Sequence, residues 1–129
     1  VDAFSVLLVD DEEEFLETLV KRLTKRKLLV TGVTNAEDAI RILNEKPVDI
    51  VVLDVKMPGM DGLEALRQIK KTSPDVEVIM LTGHANMEAA IQGMELGAFD
   101  YLMKPMDIDE LLYKLQDAYK KKSLREQVK

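Results

Sequence analysis

Chemically capable side chains stand at the ends of short apolar runs in this chain. Asp10 and Asp11 follow the run 5–9, Asp54 follows 50–53, Thr82 follows 76–81, and Lys104 follows 99–103. If those runs are neighbouring strands, carboxylates, a hydroxyl and an ammonium meet at one edge of a sheet. Crowded carboxylates repel one another, and burying them unpaired costs roughly several kcal/mol. A hard divalent cation bound through oxygen relieves that conflict. Magnesium is the cellular candidate, because it takes one or two carboxylates and fills its shell with waters and phosphate oxygens. Each residue also has a plainer reading. Asp10-Asp11 can cap a helix, Asp54 can begin a turn, Thr82-Gly83 can be an ordinary turn, and a lone lysine usually sits on a surface. Their coincidence at corresponding strand ends favours the metal site.

The elements that must position these residues alternate along the chain. Run 5–9 is β-rich, and a helix is expected over 12–25 with Phe15, Leu16, Leu19, Val20 and Leu23 as its apolar stripe. Acidic residues in its first turn and Lys21, Arg22 and Lys25 in its last suit the helix dipole. A second strand is expected over 28–32, then a helix capped by Asn35 that runs to Asn44 before Pro47. Run 50–53 is apolar at every position, the mark of a parallel strand covered on both faces. The turn-rich loop 56–62 leads to a helix over 63–71, and a fourth strand follows over 76–81. A helix opened at Asn86 closes at Gly97, strand 99–103 follows, and a last helix spans about 107–122. Strands alternating with helices make an α/β fold, a doubly wound parallel sheet whose ligands bind outside the carboxyl ends of the strands.

Bulk properties narrow the field. With 129 residues and 47% hydrophobic content, the chain suits one domain with a full core. It has no cysteine, which excludes disulfides, and its one histidine, His84, argues against zinc. A net charge of −6 disfavours nucleic-acid contact by this domain and suits one that holds a cation. No signal-peptide pattern is present and the apolar runs are strand-sized, so a cytoplasmic protein that makes no membrane contact is expected.

Four segments then carry a resemblance. They are Val9-Asp10-Asp11; Leu53-Asp54-Val55-Lys56-Met57-Pro58-Gly59-Met60-Asp61-Gly62; Leu81-Thr82-Gly83; and Ala98-Phe99-Asp100-Tyr101-Leu102-Met103-Lys104-Pro105. In this order and on these elements they resemble the receiver domains of two-component response regulators. That family includes the chemotaxis regulator and the receivers of nitrogen-regulation-type activators. The resemblance covers about residues 5–120 and implies a flavodoxin-like, five-stranded parallel sheet of order 2-1-3-4-5 with five helices.

By that resemblance, Asp54 is the nucleophile and phosphoacceptor. Asp11 binds magnesium directly, Asp10 does so directly or through water, and the Asp54 carboxylate and Lys56 carbonyl complete the protein's share. Lys104 adds positive charge to a transition state that needs positioning more than covalent chemistry. Thr82 is expected to turn its hydroxyl to the phosphoryl group and draw loop 83–86 with it, which gives Tyr101 room to change rotamer. Tyr101 also reads as a plain half-buried strand tyrosine. Lys56 and His84 stand two residues after Asp54 and Thr82, where the family tunes phosphoryl lifetime; each also reads as a solvated loop residue. Lys104-Pro105 matches a peptide that is commonly cis in the family.

The implied function is a signalling switch fed by a histidine kinase or phosphotransfer protein. A downstream output domain or protein reads it through helix four, strand five and helix five, and homodimerisation on activation is compatible with that. Such a domain catalyses its own phosphoryl transfer and autodephosphorylation only. A metal-dependent phosphatase is the competing reading, but aspartate-nucleophile phosphatases place a second aspartate where this chain has Lys56. A decayed interaction module fits poorly with a full set of site residues. No glycine-rich nucleotide loop or glycine-flanked serine nucleophile occurs. Residues 1–122 are expected to form the receiver, and 123–129 a helix extension or the start of a linker. A first residue other than Met hints at a domain of a longer protein, while a complete single-domain protein stays an equal expectation.

Overall fold

The computed structural model describes residues 3–128, with the side chains of His84 and Val128 outside the described set. The alternation folds into β1 (Ser5–Val9), α1 (Glu13–Lys25), β2 (Leu29–Val33), α2 (Ala36–Glu45) and β3 (Ile50–Asp54). Then come α3 (Gly62–Thr72), β4 (Glu77–Thr82), a 3₁₀ turn (His84–Asn86), α4 (Met87–Glu95), β5 (Asp100–Met103) and α5 (Ile108–Val128). The five strands are parallel and lie in the order β2-β1-β3-β4-β5.

Residue alternation along the central strands builds a core on each face of the sheet. Leu7, Val9, Val51, Leu53, Val78 and Met80 pack with Ala36, Ala39, Ala65, Leu66 and Ile69 from α2 and α3. Val6, Leu8, Ile50, Val52, Ile79 and Leu81 pack with Leu16, Leu19 and Leu23 of α1 and Leu111 and Leu115 of α5. α2 and α3 begin as their sequences dictate, with Asn35 and Asp61 accepting the backbone N–H groups of Asp38 and Glu64.

Boundaries shift where backbone geometry overrides pattern. β2 starts at Leu29 rather than Leu28, because Lys27 takes φ 67° and Leu28 turns into the α1–α5 core. α4 lacks a side-chain cap at Asn86, since the 3₁₀ turn precedes it, and Gly97 leaves it at φ 105°. α5 continues past Lys122 to Val128. Among the described residues, no helix is long and apolar enough to cross a membrane.

Candidate metal centre at the carboxyl edge of the sheet

Strand register explains the crowding. Val9 of β1 stands opposite Leu53 of β3, so Asp10 and Asp54 emerge side by side from strands about 4.8 Å apart. Val9 and Leu53 pack toward α2 and α3, so alternation sends both aspartates toward the α1–α5 face. Both are buried, at 1% and 7% exposure. Glu12, at the N-cap of α1, adds a third carboxylate. One oxygen from each of Asp10, Glu12 and Asp54 lies within 4.8 Å of the others.

Lys104 enters from the end of β5, tied by its backbone N–H to the Thr82 carbonyl at 2.8 Å. Its Nζ donates to Asp10 Oδ2 at 2.7 Å and Glu12 Oε1 at 2.9 Å, and lies 3.7 Å from Asp54 Oδ2. Burial works against the ammonium, but its bonds to Asp10 and Glu12 outweigh that, and its pKa stands above the ordinary lysine value. The Lys104-Pro105 peptide is cis. Asp10 divides its two oxygens, since Oδ1 accepts the Glu12 N–H at 2.9 Å. It therefore serves the turn into α1 and the charge cluster together.

Asp54 is the strained member. Its pKa is pushed up to about 6, first by burial and then by the Asp10 charge, with Asp11 adding to it. Lys104 and the backbone N–H of Lys56 pull the other way without prevailing. The clustered donors are hard carboxylate oxygens that share the Lys104 ammonium, and that set fits magnesium.

A cavity of about 630 Å³ opens over the cluster, lined by Asp11, Glu12, Asp54, Lys56, Met57, Pro58, Gly83, Asn86 and Lys104. Asp11 and Lys56 are exposed on its wall. Gly62 lets α3 start against the end of β3: a Cβ there would stand 2.4 Å from the Asp54 carbonyl oxygen, a clash that only glycine avoids. Thr82 is fully buried, and its hydroxyl donates to the Gly83 carbonyl at 3.0 Å. Tyr101 is half-buried on β5 and packs against the α2–α3 core. The His84 side chain lies outside the described residues.

Of the residues singled out in the sequence, the structure brings Asp10, Asp54 and Lys104 into one charge cluster. Asp11 and Lys56 share their cavity, while Thr82 and Tyr101 stand back from it. Sequence reasoning missed Glu12, which it read as part of an acidic first turn. It also missed Phe15, whose ring centroid lies 4.6 Å from Lys104 Nζ. Both were legible only as features of α1.

Known proteins resemble this chain along most of its length. The profile of the response regulator receiver domain matches residues 6–116. The chain is 38% identical over 114 residues to the DNA-binding transcriptional regulator NtrC of Proteus hauseri, covering 88% of this chain and 24% of that protein. It is 41% identical over 105 residues to NtrC of Escherichia coli (strain K12), covering 81% of this chain and 22% of that protein. It thus spans about a quarter of the length of these curated relatives. Among solved structures, the receiver domain of NtrX from Brucella abortus superposes with a TM-score of 0.85 at 31% identity, covering 89% of this chain and 98% of that one. With its flavodoxin-like sheet and strand-end acids in place, the chain belongs to the response regulator receiver domain family of two-component systems.

Proposed function

We propose that the chain is a phosphorylation switch in which Asp54 takes a phosphoryl group from a histidine kinase or phosphotransfer protein. The observation that carries this reading is a buried Asp54 at the base of an open cavity, beside surplus negative charge and one poised ammonium. Asp10, Asp11, Asp54 and the Lys56 carbonyl would hold magnesium, which supplies positive charge to the transferring phosphoryl group. An Asp54 oxygen attacks phosphorus, the phosphorus–nitrogen bond of the phosphohistidine breaks, and its electron pair leaves with the imidazole. With a pKa of about 6, Asp54 is mostly ionised at neutral pH and therefore nucleophilic. Lys104 is near enough to turn from Asp10 to a phosphoryl oxygen.

The same residues propagate the change. Thr82 exchanges its bond to the Gly83 carbonyl for one to the phosphoryl group and carries the 83–86 loop with it. Tyr101 then has space to turn inward. The readout surface is α4, β5 and α5, where Ile91, Met94 and Tyr113 expose apolar side chains for an output partner or a second copy. Lys56 and His84 tune the phosphoryl lifetime; an unchanged decay rate in Lys56→Asn with His84→Ala would remove that role.

The setting is cytoplasmic, and the switch comprises 1–122, with later residues extending α5. With a net charge of −6, this domain leaves DNA contact to an output region. The test is incubation with acetyl phosphate and magnesium, followed by intact mass. A gain of one phosphoryl group is expected, lost on chelation and in Asp54→Asn. A gain that survives either change refutes the reading.

A further inference from the structure

Lys104 Nζ has four close neighbours: Asp10 at 2.7 Å, Glu12 at 2.9 Å, Asp54 at 3.7 Å and the Phe15 ring centroid at 4.6 Å. Three of them are carboxylates with other demands on them. Asp10 and Asp54 belong to the cluster that fits a divalent cation, and the Glu12 side chain is 64% exposed. An aromatic ring offers no oxygen to such a cation and has no proton to exchange. Its attraction for an ammonium survives when the carboxylates turn elsewhere.

The ring is also a fixed platform. It packs against the α1–α5 core and forms one wall of a small cleft with Thr18, Leu19, Arg22, Met106 and Ile108. Lysine is a flexible side chain that loses rotamer freedom when it is held in place. A neighbour that holds the ammonium without competing for the metal reduces the rearrangement left for the reaction.

We propose that Phe15 is a positioning residue for phosphoryl transfer, its ring face holding the Lys104 ammonium beside Asp54 after Asp10 and Asp54 engage a divalent cation. This rests on the phosphorylation reading above. The ring takes no part in bond making; it acts through Lys104.

The test replaces Phe15 in the full chain with 4-fluoro-, 3,5-difluoro- and 3,4,5-trifluorophenylalanine, and separately with leucine. Fluorine withdraws electron density from the ring face while nearly preserving its shape. The initial phosphorylation rate from acetyl phosphate at saturating magnesium is expected to fall stepwise along the series. Phe15→Leu should stand about fivefold below the parent, with magnesium affinity by calorimetry unchanged. NMR gives a readout apart from activity, since the Lys104 ε-methylene protons should keep a ring-current upfield shift before and after magnesium is added. A flat rate across the fluorinated series overturns the proposal, and so does loss of that shift on adding magnesium. If the parent protein takes no phosphoryl group, the phosphorylation reading fails, and the NMR arm still decides whether the ring holds Lys104.

Discussion

Both edges of the sheet bury carboxylates, and they treat them in opposite ways. At the amino edge Glu77 is 1% exposed and surrounded by cations: Arg125 at 2.7 Å, Lys121 at 3.8 Å and Lys70 at 3.9 Å. Positive charge is in surplus there. Lys70 is held below the ordinary lysine value, first by burial and then, against the pull of Glu77, by Arg125 and Lys121. At the carboxyl edge Asp10, Glu12 and Asp54 share Lys104, and Asp54 is pushed up to about 6. A buried acid that serves stability alone is neutralised as Glu77 is. On the proposed reading, the uncompensated edge destabilises the metal-free fold and so stores affinity for a cation.

Removing one cation from each edge sharpens that contrast and carries the largest expected effects. Lys104→Met strips the carboxyl edge of its partner and should cost about 3 kcal/mol in metal-free denaturant unfolding, a loss that magnesium largely restores. Arg125→Met leaves Lys70 and Lys121 beside Glu77 and should cost about 2 kcal/mol, with no rescue by magnesium. Equal rescue of both variants would break the comparison.

Asp54→Asn should act in the opposite direction and stabilise the metal-free protein at pH 7 by about 1 kcal/mol. The folded Asp54 carboxyl holds its proton up to about 6, while its ordinary pKa is 3.8. Between those values the folded state binds more protons than the unfolded chain, so rising pH erodes wild-type stability. The advantage of the asparagine should therefore be absent below pH 4, grow through that window and level off near pH 7 in thermal melts. The smallest effect is on the wild type itself, whose Tm should rise a few degrees with magnesium by preferential binding to the folded state.

The contrast also explains what was legible in the sequence. Apolar runs and the residues closing them located Asp10, Asp54 and Lys104, because parallel strands in register bring their ends together. The amino edge was not legible. Glu77 opens β4 as a lone acid in an apolar run, and its Arg125 partner lies 48 residues later in a tail read as a helix extension or the start of a linker. Glu12 was masked for a related reason, since its acidic neighbours already had a sufficient explanation in the helix dipole. Periodicity reports which face a residue takes, and these contacts depend on which distant side chain reaches it.

The most direct test of the central claim locates the phosphoryl group chemically. Borohydride reduction of an aspartyl phosphate yields homoserine, and peptide mass mapping after acetyl phosphate and magnesium treatment reads its position. Homoserine at position 54, and its disappearance when magnesium is chelated, is the result this account predicts. Homoserine at position 10 or 11, or a phosphoryl group that resists reduction, would contradict it.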